Sequence, residues 1–99
     1  MCLLLFYYFI EEDGFMFPSD SRYITYSDLN GMTKDEVALL RNEIYARHGY
    51  IFQSEAYSSY FENMSWYYPN PDFDESLFNS IEKKNKETIV AFETDMGWR

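Results

Sequence analysis

One cysteine and one histidine, Cys2 and His48, are all that the 99 residues contain. An internal disulfide is excluded, and a zinc site falls at least two ligands short unless carboxylates supply them. Glycine and proline are also few, 4 and 3. No Gly-rich phosphate loop occurs, and no Ser or Cys stands in a nucleophile motif. With neither metal spacing nor a cofactor motif, no metal and no cofactor is expected. Basic residues are scarce as well: 8 Lys and Arg face 17 Asp and Glu, a net charge of -9. Such a surface repels phosphate backbones and anionic headgroups, so nucleic acid is disfavoured as a partner. Acidity of this kind ordinarily keeps a domain soluble.

Long apolar runs are missing too. Cys2 to Ile10 is the most extended, and Glu11, Glu12 and Asp13 follow it at once. It is shorter than the roughly 20 residues a membrane helix requires. It also lacks the basic start and small-residue cleavage site of a signal peptide. The reading favoured here is the stub of a membrane anchor or signal segment cut by a truncated start, ahead of a packed element or a sticky tail.

What the chain does have is apolar surface. It is 46% hydrophobic and 21% aromatic, with 10 Tyr and 9 Phe, enough to build one core and to argue against disorder. Residues 1–18 read as the apolar N-terminus and an extended lead-in, 19–94 as a single domain, and 95–99 as a frayed tail.

Capping chemistry places the helices. Thr25 and Asp28 have capping-box spacing, with Gly31 after them as a left-handed stop, so one short helical turn is expected. Thr33 and Glu36 repeat the spacing, and Met32 stands to Val37 as a hydrophobic staple. A long helix should run from Lys34 to His48 and stop at Gly49. Val37, Leu40 and Ile44 form its inward stripe, while Asn42, Glu43 and Ala46 point elsewhere and Glu43 pairs with Arg47 on the surface. Ser54 caps a shorter helix to about Asn63 with Tyr57, Tyr60 and Phe61 inward. Asn79 with Glu82 opens a last helix to about Glu93, whose inward face is Ile81, Thr88, Ile89 and Phe92. The fold class is all-α: a small bundle of about three helices preceded by a short N-terminal helical turn.

The apolar-in, polar-out pattern fails in one place. Arg41 and His48 share the stripe of Val37, Leu40 and Ile44, and Asn85 sits inside the apolar face of the last helix. The run Tyr45-Ala46-Arg47-His48-Gly49 resembles the YARHG domain family, which is named after that pentapeptide. Asn42-Glu43-Ile44, Phe52, Tyr60-Phe61, Trp66-Tyr67 with Pro69, and Glu82 with Asn85 extend the likeness over roughly Ser19 to Glu93. The resemblance implies a bacterial extracellular domain, often appended to envelope or secreted modules, with no catalytic residue to carry over. Leu40 departs from the small residue that commonly precedes Arg-Asn-Glu, which changes packing volume and no role.

Arg41, Tyr45 and His48 are candidates for a ligand pocket, with Arg41 laid against the Tyr45 ring. Trp66 and Tyr67, near Asp72 and Asp74, are candidates for stacking on a sugar face. The competing reading is structural: Arg41, Asn42, His48, Glu82 and Asn85 form a buried polar network. Arg41 would then be met by Glu82 or another carboxylate, and would lie close to Asn85. Burial favours the network, because an unpaired buried charge costs several kcal/mol, roughly. Carboxylate pairs can be drawn at will from so acidic a chain, so no enzyme site stands out. The function expected is a non-catalytic cell-surface or extracellular accessory or binding module, with a cell-wall component or an envelope protein as partner. A structural or regulatory spacer of a larger envelope protein is the first alternative, and a hydrolase-associated domain the second.

Overall fold

The computed structural model describes residues 14–99; the apolar run Cys2 to Ile10 lies outside the described residues. An extended strap, residues 14–24, leads into α1 (Tyr26–Leu29), α2 (Lys34–Ala46), α3 (Glu55–Glu62) and α4 (Ser80–Asp95), with a 3-10 turn at Glu75–Leu77. No strand occurs among the described residues, so the all-α bundle expected from the pattern is what forms. Among those residues no helix is long and apolar enough to cross a membrane.

Reciprocal side-chain to backbone bonds start three of these helices. At α2, Thr33 N–H donates to Glu36 Oε1 (2.7 Å) and Glu36 N–H to Thr33 Oγ1 (3.1 Å). Each box satisfies amide donors that the first helical turn leaves without an internal acceptor. α2 stops at Ala46, two residues earlier than the pattern suggests. The chain then turns through Arg47 and His48 into Gly49, at φ +83°. A Cβ on Gly49 would stand 2.5 Å from the Tyr68 carbonyl oxygen, so both the left-handed φ and the close approach of the 68–70 loop require glycine there. Asn70 N–H donates to the Gly49 carbonyl (2.8 Å) and fastens that loop.

α2 is apolar on two sides. Val37, Leu40 and Ile44 enter the larger core with Phe17, Ile24, Leu29, Phe78, Ile89 and Phe92. Ala46 faces the other way, into a smaller core with Phe52 and Phe61. It lies off the stripe of Val37, Leu40 and Ile44, as the pattern predicts, but at 1% exposure it is buried under α3, where a small side chain allows close packing. Fully buried Phe61 stabilises that contact by about 1.5–3 kcal/mol. The tail is packed as well. α4 continues through Asp95, and Trp98 returns against Phe92 at 5.8 Å between ring centroids.

Polar side chains grip the strap by its backbone. Asn85, fully buried in α4, accepts from Ile24 N–H (2.8 Å) and donates to the carbonyls of Ser19 and Arg22 (2.9 Å each). One amide side chain thereby satisfies a stretch that no regular structure pairs. Leucine at that position has similar bulk and none of these bonds. Asn85→Leu is expected to lower stability by about 3 kcal/mol, the cost of burying unmet backbone groups, seen as a fall in melting temperature by calorimetry. An unshifted transition would show that the strap contributes nothing to folding.

Candidate functional site

α2 and the turn that follows it meet α4 through two side-chain pairs in opposite chain order, so the helices run antiparallel. Arg41 forks onto Glu93 (Nε to Oε1 2.8 Å, the terminal nitrogen to Oε2 3.1 Å). His48 Nε2 lies 2.8 Å from Glu82 Oε2. Glu93 is thus the other carboxylate expected beside Glu82 as a partner of Arg41, whereas the register corrects the expected nearness of Arg41 to Asn85. Glu82 lies opposite the far end of α2 and is taken by His48, whereas Asn85 turns to the strap. Glu82 also accepts Asn79 N–H through Oε1 (2.9 Å), so one buried carboxylate caps α4 and fixes His48. Asn42 stays local, donating to the Ala38 carbonyl one turn back (2.8 Å). The five residues expected to form one network therefore belong to four separate sets of bonds.

Glu43 and Arg47 are the residues the sequence reading misplaced. They face inward and hold the strap instead of pairing at the surface. Met16 N–H donates to both Glu43 oxygens (2.9 and 3.2 Å), with Glu43 fully buried. Arg47 donates to the Phe17 carbonyl (3.0 Å), its guanidinium lies 3.6 Å from the Phe15 ring centroid, and Asp20 is 3.7 Å away. Cation–π stacking of a guanidinium thus occurs at Arg47 and Phe15, while none is found between Arg41 and Tyr45 among the described residues. A four-residue step on a helix predicts a pair equally well whether it faces water or a chain segment, so the pattern carried no signal for this.

Two open grooves flank Arg41. The first, about 330 Å³, is lined by Arg41, Asn42, Tyr45, Tyr50, Phe73 and Glu75. Its floor is aromatic: Tyr45 lies 5.7 Å from Tyr50 and 5.8 Å from Phe73, and Tyr50 lies 5.2 Å from Phe73, by ring centroids. Glu75 accepts from Lys86 Nζ (2.9 Å) at one end. The structure therefore brings Arg41 and Tyr45 together and leaves His48 outside, packed on Phe78 at 5.4 Å. The second groove, about 430 Å³, runs along Lys34, Arg41, Glu93, Trp98 and Arg99. Trp66 and Tyr67 line neither. Trp66 packs on Phe15 (4.5 Å) and Phe61 (6.0 Å), and Tyr67 donates its hydroxyl to the Tyr50 carbonyl (2.8 Å). They close the smaller core, and of the aromatic residues 66–68 only Tyr68 is exposed.

Among the described residues no three His, Cys, Asp or Glu side chains converge as a metal site needs. Burial raises the phenols of Tyr45, Tyr60 and Tyr67 above the ordinary tyrosine value of 10.0, with Glu75 adding to the rise at Tyr45 and Lys86 opposing it. The folded state therefore keeps these protons longer than the unfolded chain. Stability from this source is complete below pH 10 and is lost as pH rises through the folded values. Thermal unfolding followed at increasing alkalinity should show the melting temperature falling beyond pH 10. A melting temperature that stays level there would count against buried phenols.

Arg41→Met removes the fork but leaves Glu93 with Arg99, whose guanidinium lies 3.1 Å from Oε1. A loss of about 2–3 kcal/mol is expected, at or below the low end for breaking a buried pair, measurable by urea unfolding. No change in midpoint would mean that Arg99 alone suffices.

The chain resembles known proteins over most of its length. The sequence model of the YARHG domain matches residues 13–94. No curated protein matches at a significant level. A crystal structure of a candidate nutrient binding protein from Legionella pneumophila is similar, with a TM-score of 0.62 and 38% identity over 67% of this chain. The likeness covers 21% of that longer chain, so it concerns one part of a larger protein. With the Tyr45–Gly49 turn, its buried partners and the family match in agreement, the chain belongs to the YARHG domain family.

Proposed function

We propose that this domain is a non-catalytic accessory module of a larger bacterial cell-surface or extracellular protein, and that it binds cell-wall glycan in the Tyr45–Tyr50–Phe73 groove. The observation that carries the reading is the aromatic floor between a fixed guanidinium and an ion pair. Flat rings pack on the C–H face of a sugar, while Arg41, Asn42 and Glu75 offer donors and an acceptor to its hydroxyls. Because Glu93 already holds Arg41, little side-chain entropy remains to be lost on binding. The larger Legionella chain, a candidate nutrient binding protein, supports a role as one module among others.

A structural or regulatory spacer is the second reading, and it draws on a different fact. Glu43, Arg47 and His48 all bond within the fold, so most of the motif is engaged internally. The role of a hydrolase-associated domain is compatible with either.

Titration with peptidoglycan-derived oligosaccharides, read by NMR of the aromatic side chains, separates these readings. Ring signals of Tyr45, Tyr50 and Phe73 should move together. Glu75→Ala, at an exposed side chain whose pair with Lys86 is worth under about 1 kcal/mol, should weaken binding without unfolding the domain. Signals that do not move would remove glycan binding and leave the spacer.

A further inference from the structure

The second groove carries a different chemistry. Its centre is Glu93, whose side chain is 3% exposed and which receives two guanidinium groups, Arg41 by two bonds and Arg99 by one (3.1 Å to Oε1). One carboxylate thus serves two forks and cannot occupy all their donors, since each guanidinium has five N–H groups. Lys34 and Asp35 stand at the rim, so the lining side chains set three cations against two carboxylates. The local excess is one positive charge on a chain whose net charge is -9. Beside the cations lie Trp98, half-buried against Phe92, and Tyr57 from α3. At about 430 Å³ the groove has the size of a small-molecule site.

We propose that this groove binds the free carboxylate at the end of a short peptide. Arg41 and Arg99 hold the carboxylate, the forks matching its two oxygens. Trp98 and Tyr57 cover the adjoining apolar side chain, and Asp35 accepts from peptide N–H groups. A single surplus charge suits a monoanion, and Asp35 at the rim opposes the second charge of a phosphate. The site goes beyond glycan binding and lies on the other side of Arg41 from the aromatic floor.

The test titrates the whole chain with N-acetyl-alanyl-alanine and with the same dipeptide carrying a C-terminal amide, following the Trp98 indole signal by NMR. The acid is expected to shift that signal and the amide to bind at least about tenfold more weakly, the equivalent of one lost charge-assisted hydrogen bond. Arg99→Gln leaves the Arg41–Glu93 fork in place and should bring the acid down to the level of the amide. Equal binding of acid and amide, or no shift with either, overturns the proposal. Displacement of the dipeptide by a lower concentration of inorganic phosphate also overturns it and assigns the groove to phosphate. The glycan titration is read at Tyr45, Tyr50 and Phe73, so either result can fail while the other stands.

Discussion

Buried carboxylates dictate how this domain is assembled. Glu43, Glu82 and Glu93 are each no more than 2% exposed, and an anion out of water must be met by donors or it destabilises the fold by several kcal/mol, roughly. Glu43 takes the amide of Met16, Glu82 takes His48 and its own helix cap, and Glu93 takes two arginines. Those needs fix in turn the course of the strap, the antiparallel register of α2 and α4, and the return of the tail. Apolar packing alone would tolerate a slide of one helix over the other; matched donors do not.

Local features were readable from the chain and long-range partners were not. Helix starts were legible because a capping box is written within four residues, as at Thr33 and Glu36. The stop was legible because Gly49 alone tolerates the φ the turn needs. The polar positions inside the stripe marked Arg41, His48 and Asn85 as unusual, yet nothing in one helix says which acid of another will face it. Register decides that, and register follows from the whole core. Glu43 and Arg47 were misplaced for the same reason: their partners are backbone groups of the strap, which have no side-chain identity to read. The candidate groove was half legible. Tyr45 and Arg41 were visible as neighbours, whereas Tyr50 and Phe73 join them only through the turn at Gly49 and the loop fastened to it.

Tyr45 links the architecture to the proposed chemistry. Its ring touches both cores, and its free edge forms part of the aromatic floor. A contact made there bears on elements already locked by the ion pairs around it. The same placement keeps the exposed face of Arg41 between two grooves, one aromatic and one cationic, so neighbouring sites of different character share a single rigid side chain.

The strap leaves a distinctive mark on what sequences the fold can accept. Glu43 and Asn85 hold it through the amides of residues 16 and 24, and Arg47 through the carbonyl of residue 17. Main-chain groups are common to every amino acid, so these grips ask for no side chain in return. They forbid one residue, since proline at 16 or 24 has no N–H to give. Pro18 shows the complement: it stands between the grips and contributes only its carbonyl, which accepts from the N–H groups of Ser21 and Arg22. Divergence along the strap is thus bounded by its core positions, Phe17 and Ile24, and by a short set of prohibitions, and a designer grafting a new segment onto this domain inherits both.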